Sequence, residues 1–536
     1  DRRTLVKYLA DTQGLAPSET DGVRYALERR LNTVEQFDEQ TSQMCGRCHS
    51  GARVALQRRP AQEWERLVNF HLGQWPSLEY QALSRDRDWF DLARKEMVPL
   101  LAKRYPLDNP AWKKWQSAAP KADALVGDWS FSGHLPGKGE LAGVMSVSSE
   151  GNDQFKVTVK GQYADGSPFN GDGSAILYSG YEWRGNVTVD GVVMRQVLAA
   201  KGTQLQGRMF EAEHDERGLD FTAAKHGSSQ LLAVQPGYLK AGTETEVTLI
   251  GAGLQGKPDF GKGVEVLEVI AQSPEQIKVK LKAASDAKPG LRTVSVGALK
   301  GPSLSVYSSI AEVKVVPAFS VARIGDGGGS TPKVQGRFDA EAWGKGADGK
   351  PYRIGVFPAQ WKVEAFDDRA KEDEDVKFAG TMQADAGVFT PGDAGPNPAR
   401  KMSTNNAGNL KVIAAVGSDE KMEICRKYGA TMFVNYAKEK MRDKVKELTG
   451  GNGADIIYDA VGGDAFDESV RCIAWYGRLL VVGFAAGRIP SLPANLALLK
   501  SCDVRGVFYG AWRGREPAEA RKNFDEMLAW YGEGKL

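Results

Sequence analysis

The spacing of apolar residues changes period three times along the chain, and each change marks a new kind of element. Between Pro60 and Leu72, Trp64, Leu67, Val68 and His71 fall at i, i+3, i+4 and i+7, with Pro60 just ahead of the first turn; this predicts an amphipathic helix. A second helix is predicted from about Arg87 to Tyr105, with Phe90, Ala93, Met97, Leu100 and Leu101 on one side. Leu5, Tyr8 and Leu9 share the face of an opening helix that closes on Gly14. Asn109-Pro110 and an Ala/Pro/Lys stretch near Ala118 read as a linker. Residues 1–118 are therefore expected to form an α-helical lobe.

From about Leu125 to Lys225 the period becomes two. FKVTVKGQY (155–163) alternates cleanly, and Asp165-Gly166 and Asp190-Gly191 punctuate strand-like runs, which predicts an antiparallel β domain, barrel or sandwich, over 122–229. VTLIGAGL, GVEVLEVI, QIKVKLKA and KPGLRTVSVG continue the style and suit an immunoglobulin-like sandwich over 230–317. VQGRFDAEAW, QWKVEAFDD, VKFAG and NLKVIAAV suggest a second immunoglobulin-like domain over 318–412, with Gly325 to Gly329 as a flexible tip. Beyond this, helices (DEKMEICRKYGA, KEKMRDKVKELTG, FDESVRCIAWYG) alternate with strands (MFVNY, ADIIYDAVGG, RLLVVGF, DVRGVFY), the signature of a parallel α/β sheet over 413–536. The expected architecture is multidomain: a helical lobe, three β domains and an α/β unit. A length of 536 residues accommodates that number of cores.

Composition narrows the function classes. Lys+Arg (70) and Asp+Glu (68) balance, which argues against nucleic acid as a partner. No apolar run approaches the roughly 18 residues of a membrane span. The chain opens DRRTLVKYLADTQG without an initiator Met or a leader, which suggests a mature form or a fragment.

The most specific chemistry lies in Cys45-Gly46-Arg47-Cys48-His49. Two cysteines at C-x-x-C followed at once by histidine read as a covalent attachment site for haem c: two thioethers to the porphyrin and an imidazole on the iron. A zinc half-site would need a second Cys or His pair, and the next cysteine is Cys425. A redox C-x-x-C is the other alternative. Haem attachment of this type implies a periplasmic protein. His49 then needs a distal counterpart. His71, on the apolar face with Trp64, Leu67 and Val68, is the preferred candidate; Met97 is the alternative, though its stripe with Leu100 and Leu101 reads as core. His134, His214 and His226 fall in β-domain turns and are expected to be solvated. Gly251-Ala252-Gly253-Leu254-Gln255-Gly256 matches a dinucleotide fingerprint, but the following KPDFGKGVEV predicts a loop and strand where that fold needs a helix.

Two resemblances extend this reading. The segments CGRCHSGARVALQRRP, LVNFHLGQWPSLEYQALSRDRDW, HLPGKGELAG, YADGSPF, YSGYEWRGNV and KMSTNNAGNLKVIA resemble the haem-bearing alpha subunit of bacterial quinohemoprotein amine dehydrogenase, over residues 1 to about 412. That resemblance implies an electron-transfer subunit with a cytochrome c lobe and three β domains. It also implies a β-propeller partner subunit, a small subunit carrying cysteine tryptophylquinone where the amine is oxidised, and a blue copper protein or cytochrome c as acceptor. On this view the chain does not oxidise amines alone, one haem c site is retained, and the first haem motif is missing.

VIAAVGSDEK, KYGA, VNY, DAVGG and GRLLVVGF resemble the nucleotide-binding half of quinone oxidoreductase-type medium-chain dehydrogenases/reductases. The resemblance places Ser418 and Lys421 at the extra phosphate of NADPH, Tyr436 near the adenosine, and Gly483 and Phe484 near the nicotinamide. The segment before VIAAV, GPNPARKMSTNNAGN, lacks that family's first strand and glycine loop, so the Rossmann-like unit is incomplete and NADPH binding is not expected. The alternatives to electron transfer are an NADPH-dependent quinone reductase and a haem-free scaffold of β domains. NLKVIAAV is claimed twice, as a late sandwich strand and as the second reductase strand.

Overall fold

A computed structural model describes residues 2–30, 32–75, 88–416, 440–484 and 488–532. The chain is multidomain and mostly β. It divides into two compact units, 1–416 and 417–536, treated separately below.

The first unit opens with helices. Arg2–Gln13, Ala61–Gln74 and Pro110–Ala118 are separate helices, and Trp89 to Arg104 is one continuous helix with a π-helical turn at Ala93–Met97. The predicted stripes meet: Trp64 (1% exposed), Val68, Trp89, Met97 (2%) and Leu101 form the core between the helices of 61–74 and 89–104. Asn109 starts the last helix by accepting hydrogen bonds from Ala111 N (3.0 Å) and Trp112 N (3.4 Å), with Pro110 supplying the fixed φ of the first turn.

Residues 127–225 close into an eight-stranded antiparallel barrel in which each strand pairs with the next and the first with the last (Trp129 opposite Lys225). The period-two pattern sets the faces. Phe155, Val157 and Val159 are fully buried in the barrel, while Lys156 and Lys160 stay outside. Each such apolar burial is worth about 1.5–3 kcal/mol. The interior is packed with side chains; its one buried amide, Gln196, accepts a hydrogen bond from the Trp183 indole at 2.9 Å.

A buried polar seam joins the helical region to the barrel. Arg24 donates to Glu182 and to Glu28, Arg184 donates to Glu182 (3.0 Å), and Thr20 and Tyr181 share a hydroxyl contact at 3.0 Å. Arg208 donates to the Glu28 and Arg29 carbonyls, and burial, followed by repulsion from Arg30, lowers its pKa to about 10.

Two four-stranded sheets follow, covering 230–307, with Val247, Leu249, Ile277, Val279, Leu281, Val294, Val296, Leu304 and Val306 buried. Here Gly251–Gly256 leads into the short strand Pro258–Asp259 rather than a helix. Residues 312–416 form three small sheets, tied by a buried pair in which Arg400 donates to Asp375 at 2.6 Å. Strand Leu410–Val416 pairs antiparallel with Ala359–Ala365, Trp361 opposite Ala414. The doubly claimed segment therefore belongs to the β sheet.

The three β-domain histidines are not free in solvent as expected. His134 lies within the first barrel strand and contacts Asp339 at 2.8 Å; His226 contacts the Ser130 hydroxyl at 3.0 Å; His214 sits 3.4 Å from Glu216. All three are half-buried. The turns around them fold back against neighbouring strands and loops, which the period-two pattern of one strand does not reveal.

The second unit is Rossmann-like. Strands Ala454–Asp459, Ile473–Val481 and Asp503–Gly506 pair in parallel in that order, and helix Gly463–Cys472 packs Phe466 and Val470 against Ile473 and Leu479. The expected helix FDESVRCIAWYG stops at Cys472, and Ile473–Gly477 is already strand. Ile, Trp and Tyr favour extended backbone, and Tyr476 at φ +61° marks the bulge where pairing resumes at Arg478. Strand Ala454–Asp459 is a sheet edge among the described residues, and its Ile456 and Tyr458 are about two-thirds exposed.

Candidate functional site

The Cys45–His49 loop connects two short, firmly capped helices. The first, Glu39–Met44, is capped by Asp38, whose carboxylate accepts from Thr41 N at 2.9 Å. That hydrogen bond, and then Arg104, lower the Asp38 pKa to about 2. At the far end the Trp89 indole donates to the Met44 carbonyl at 3.1 Å. The second helix, Ala52–Ala55, has Glu35 across its start. Its carboxylate accepts from Gly51 N (2.7 Å), Ala52 N (3.3 Å), Tyr25 Oη (3.0 Å) and the Ser50 hydroxyl. Burial alone would raise the Glu35 pKa, but these hydrogen bonds outweigh it and hold the carboxyl below its usual range. Gly46 sits in a tight place: a Cβ there would lie 3.0 Å from the Ser42 carbonyl oxygen.

Within this frame Cys45 is half-buried against the helical core and Cys48 is exposed. Burial, then the Asp38 charge, push the Cys45 thiol up to about 11.

The two candidate imidazoles are neighbours, with His49 and His71 ring centroids 6.3 Å apart and the rings tilted by 43°. His49 Nδ1 lies 3.0 Å from the Ser50 carbonyl and His71 Nδ1 2.7 Å from the Leu67 carbonyl. A carbonyl can only accept, so both Nδ1 atoms carry the proton, and neither Nε2 has a partner among the described residues. This is the second-shell arrangement that orients metal-binding histidines. Met97 is held instead in the aliphatic and aromatic core with Trp64, Val68 and Leu101. One neighbour, Phe70, was not legible in the sequence. The Trp64 indole N–H, one face of the helix with His71, is buried without a partner among the described residues, and Phe70 packs edge-on to His71 at 6.5 Å. The i, i+7 spacing already placed Trp64 on the His71 face in the sequence.

In the second unit, Ser418, Lys421 and Tyr436 lie outside the described residues. Gly483 donates from its amide to the Asp459 carbonyl (3.3 Å), and Phe484 packs where a Cβ on Gly462 would come within 2.9 Å. Asp459 is buried; one carboxylate oxygen accepts from Val461 N and Gly462 N, both at 2.9 Å.

Comparison with known families follows the same division. The model described as "Quinohemoprotein amine dehydrogenase A, alpha subunit, haem binding" matches residues 1–112, and those of alpha subunit domains II, III and IV match 122–226, 228–308 and 313–436. Residues 1–436 belong to the quinohemoprotein amine dehydrogenase alpha-subunit family. The model of the zinc-binding dehydrogenase family matches 402–531, so residues 402–436 are claimed by both families.

The curated relatives match this C-terminal part. Quinone oxidoreductase-like protein 2 homolog of Nematostella vectensis is 44% identical over 131 residues, 24% of this chain and 36% of its own length. The Mus musculus quinone oxidoreductase-like protein 2 is 42% identical over 24% of this chain and 37% of its own. The chain thus spans little more than a third of these relatives. Among solved structures, Escherichia coli quinone oxidoreductase complexed with NADPH is similar at 26% identity and a TM-score of 0.20, covering 23% of this chain and 37% of that one.

Proposed function

We propose that the chain is the electron-transfer haem c subunit of a periplasmic amine dehydrogenase, with the haem held on its N-terminal helical lobe. The carrying observation is the neighbouring pair His49–His71. Two imidazoles bound to one metal at about 2 Å per nitrogen have centroids roughly 6 Å apart, and the observed 6.3 Å separation fits that pair. Cys45 and Cys48 would hold the porphyrin through thioethers, and His49 and His71 would hold the iron. When bound, the haem supplies a reversible one-electron couple. The chain's own residues fix the tautomer and direction of each imidazole, bury one attachment cysteine and leave the other at the surface.

The family to which residues 1–436 belong implies partner subunits. In this reading they are the β-propeller subunit and the small subunit with cysteine tryptophylquinone, where amines are oxidised; a blue copper protein or cytochrome c is the acceptor. No described helix is long and apolar enough to cross a membrane.

The test of attachment is extraction. Expressed with cytochrome c maturation factors, the chain retains its haem through acid-acetone treatment, and Cys45→Ala with Cys48→Ala releases it. Free haem from the unmodified chain overturns the proposal.

For the C-terminal unit the reading is weak NADPH binding or none. Its described sheet presents Ala454–Asp459 as an unpaired edge, where the family's first strand and glycine loop would bring a helix N-terminus to the pyrophosphate. Calorimetric titration is expected to give no stoichiometric micromolar binding. Such binding would favour the reductase alternative, which the quinone oxidoreductase relatives support.

A further inference from the structure

Between the attachment loop and the outer wall of the barrel lies a cavity of about 1020 Å³ whose lining includes Cys48 and His49. Six arginines reach it, Arg29, Arg30, Arg47, Arg53, Arg184 and Arg195, against two carboxylates, Glu35 and Glu150. Pairing reduces the imbalance but leaves it positive. Glu35 keeps its charge but is held at the start of the helix at 52–55 by Ser50, Gly51, Ala52 and Tyr25, and Glu150 is exposed. Arg30 and Arg184 are paired with Asp220 and Glu182, and Arg29 lies 3.8 Å from Asp215. Arg47, Arg53 and Arg195 are exposed and have no carboxylate partner among the described residues.

Three guanidinium groups without a carboxylate partner among the described residues therefore line one cleft, against the two carboxylates Glu35 and Glu150, in a chain whose formal net charge is only +2. Like charges gathered in a concave surface with low-dielectric walls focus a positive potential at its mouth. The arginines are long, exposed and spread over two structural elements, the attachment loop with its following helix and the sixth barrel strand. A spread over two elements suits an extended acidic surface better than a single small anion. A surface of this kind steers and orients an acidic protein, and redox encounters characteristically use small, charged, salt-sensitive contacts.

We propose that this cleft docks an acidic surface segment of the protein that exchanges electrons with the chain, next to exposed Cys48 and His49. The proposal rests on the haem reading above and adds where the partner binds and what charge it carries.

The experiment uses the full chain carrying covalent haem, verified by its absorption spectrum. Fluorescein-labelled deca-glutamate and deca-lysine peptides are titrated by anisotropy at low and at physiological ionic strength. The reduced protein is separately oxidised by hexacyanoferrate(III) or by hexaamminecobalt(III). In each reaction one electron leaves the ferrous haem and reduces the added metal complex. The glutamate peptide is expected to bind, the lysine peptide not, and binding should weaken as salt screens the charges. The triple variant Arg47→Gln, Arg53→Gln, Arg195→Gln should weaken glutamate-peptide binding roughly tenfold or more and remove most of the rate advantage of the anionic oxidant. A control triple, Lys278→Gln, Lys280→Gln, Lys282→Gln, makes the same charge change on the sandwich and should alter neither.

Equal binding of both peptides, an unaffected arginine variant, or an equal effect of the control overturns the proposal. So does tighter binding of an oligonucleotide or of anionic phospholipid vesicles than of the glutamate peptide. A chain without covalent haem refutes the haem reading instead, and the peptide titration then still decides whether the cleft takes an acidic segment.

Discussion

Replacing His71 by alanine is expected to convert the low-spin spectrum of the haem-loaded chain to a high-spin one, whereas Met97→Leu leaves it unchanged. The asymmetry follows from placement. The His71 ring lies 6.3 Å from that of His49, and its Nδ1 is engaged by the Leu67 carbonyl, which leaves Nε2 as the metal-binding nitrogen. Met97 is 2% exposed and packed among Trp64, Val68 and Leu101. Met97→Leu nearly conserves volume and should cost less than about 1.5 kcal/mol. Absorption spectra of the two variants, each checked for retained covalent haem, provide the measurement. A high-spin Met97→Leu protein beside a low-spin His71→Ala protein would refute the assignment.

The second large effect is structural. Glu182→Ala should destabilise the first unit by about 3–5 kcal/mol, because it removes the carboxylate that Arg24 and Arg184 share among the described residues and leaves the Arg24 guanidinium buried. Glu28 remains beside Arg24 but is shared with Arg30. The Arg24–Glu182 side chains are about one-tenth exposed, so solvent offers little compensation. The double replacement Arg24→Met, Glu182→Leu removes both charges and should recover most of the loss, since an apolar pair of similar volume is often as stable. Guanidinium denaturation followed by tryptophan fluorescence reads the shift. A loss below about 1 kcal/mol for Glu182→Ala would show that the seam contributes little to holding the helices on the barrel.

Much of this was legible in the sequence, for reasons that differ by element. The stripe Trp64, Val68 and His71 identified both a core face and a candidate ligand, because helical periodicity fixes which residues meet. The alternation of FKVTVKGQY identified inward and outward barrel positions for the same kind of reason. The seam of Arg24, Glu28, Glu182 and Arg184 was not legible. Its members are some 158 residues apart, and charge alone does not say which arginine finds which glutamate. The partnering of His134 with Asp339, 205 positions away, escaped for the same reason. The end of the helix at Cys472 was missed because Ile473, Trp475 and Tyr476 continue an apolar pattern that a helix and a buried strand share over a few residues.

The pairing of Leu410–Val416 with Ala359–Ala365 also carries a consequence in time. A ribosome releases both strands before Ala454–Asp459, and chains made at about 5–20 residues per second fold their earlier portions first. The hairpin-like partnership spans fewer than 60 residues and needs nothing synthesised later. By the time the parallel strands of the second unit emerge, the segment that a dinucleotide fold would use as its second strand is already hydrogen-bonded elsewhere. Order of synthesis, rather than intrinsic preference, then decides which of two inherited instructions the segment obeys.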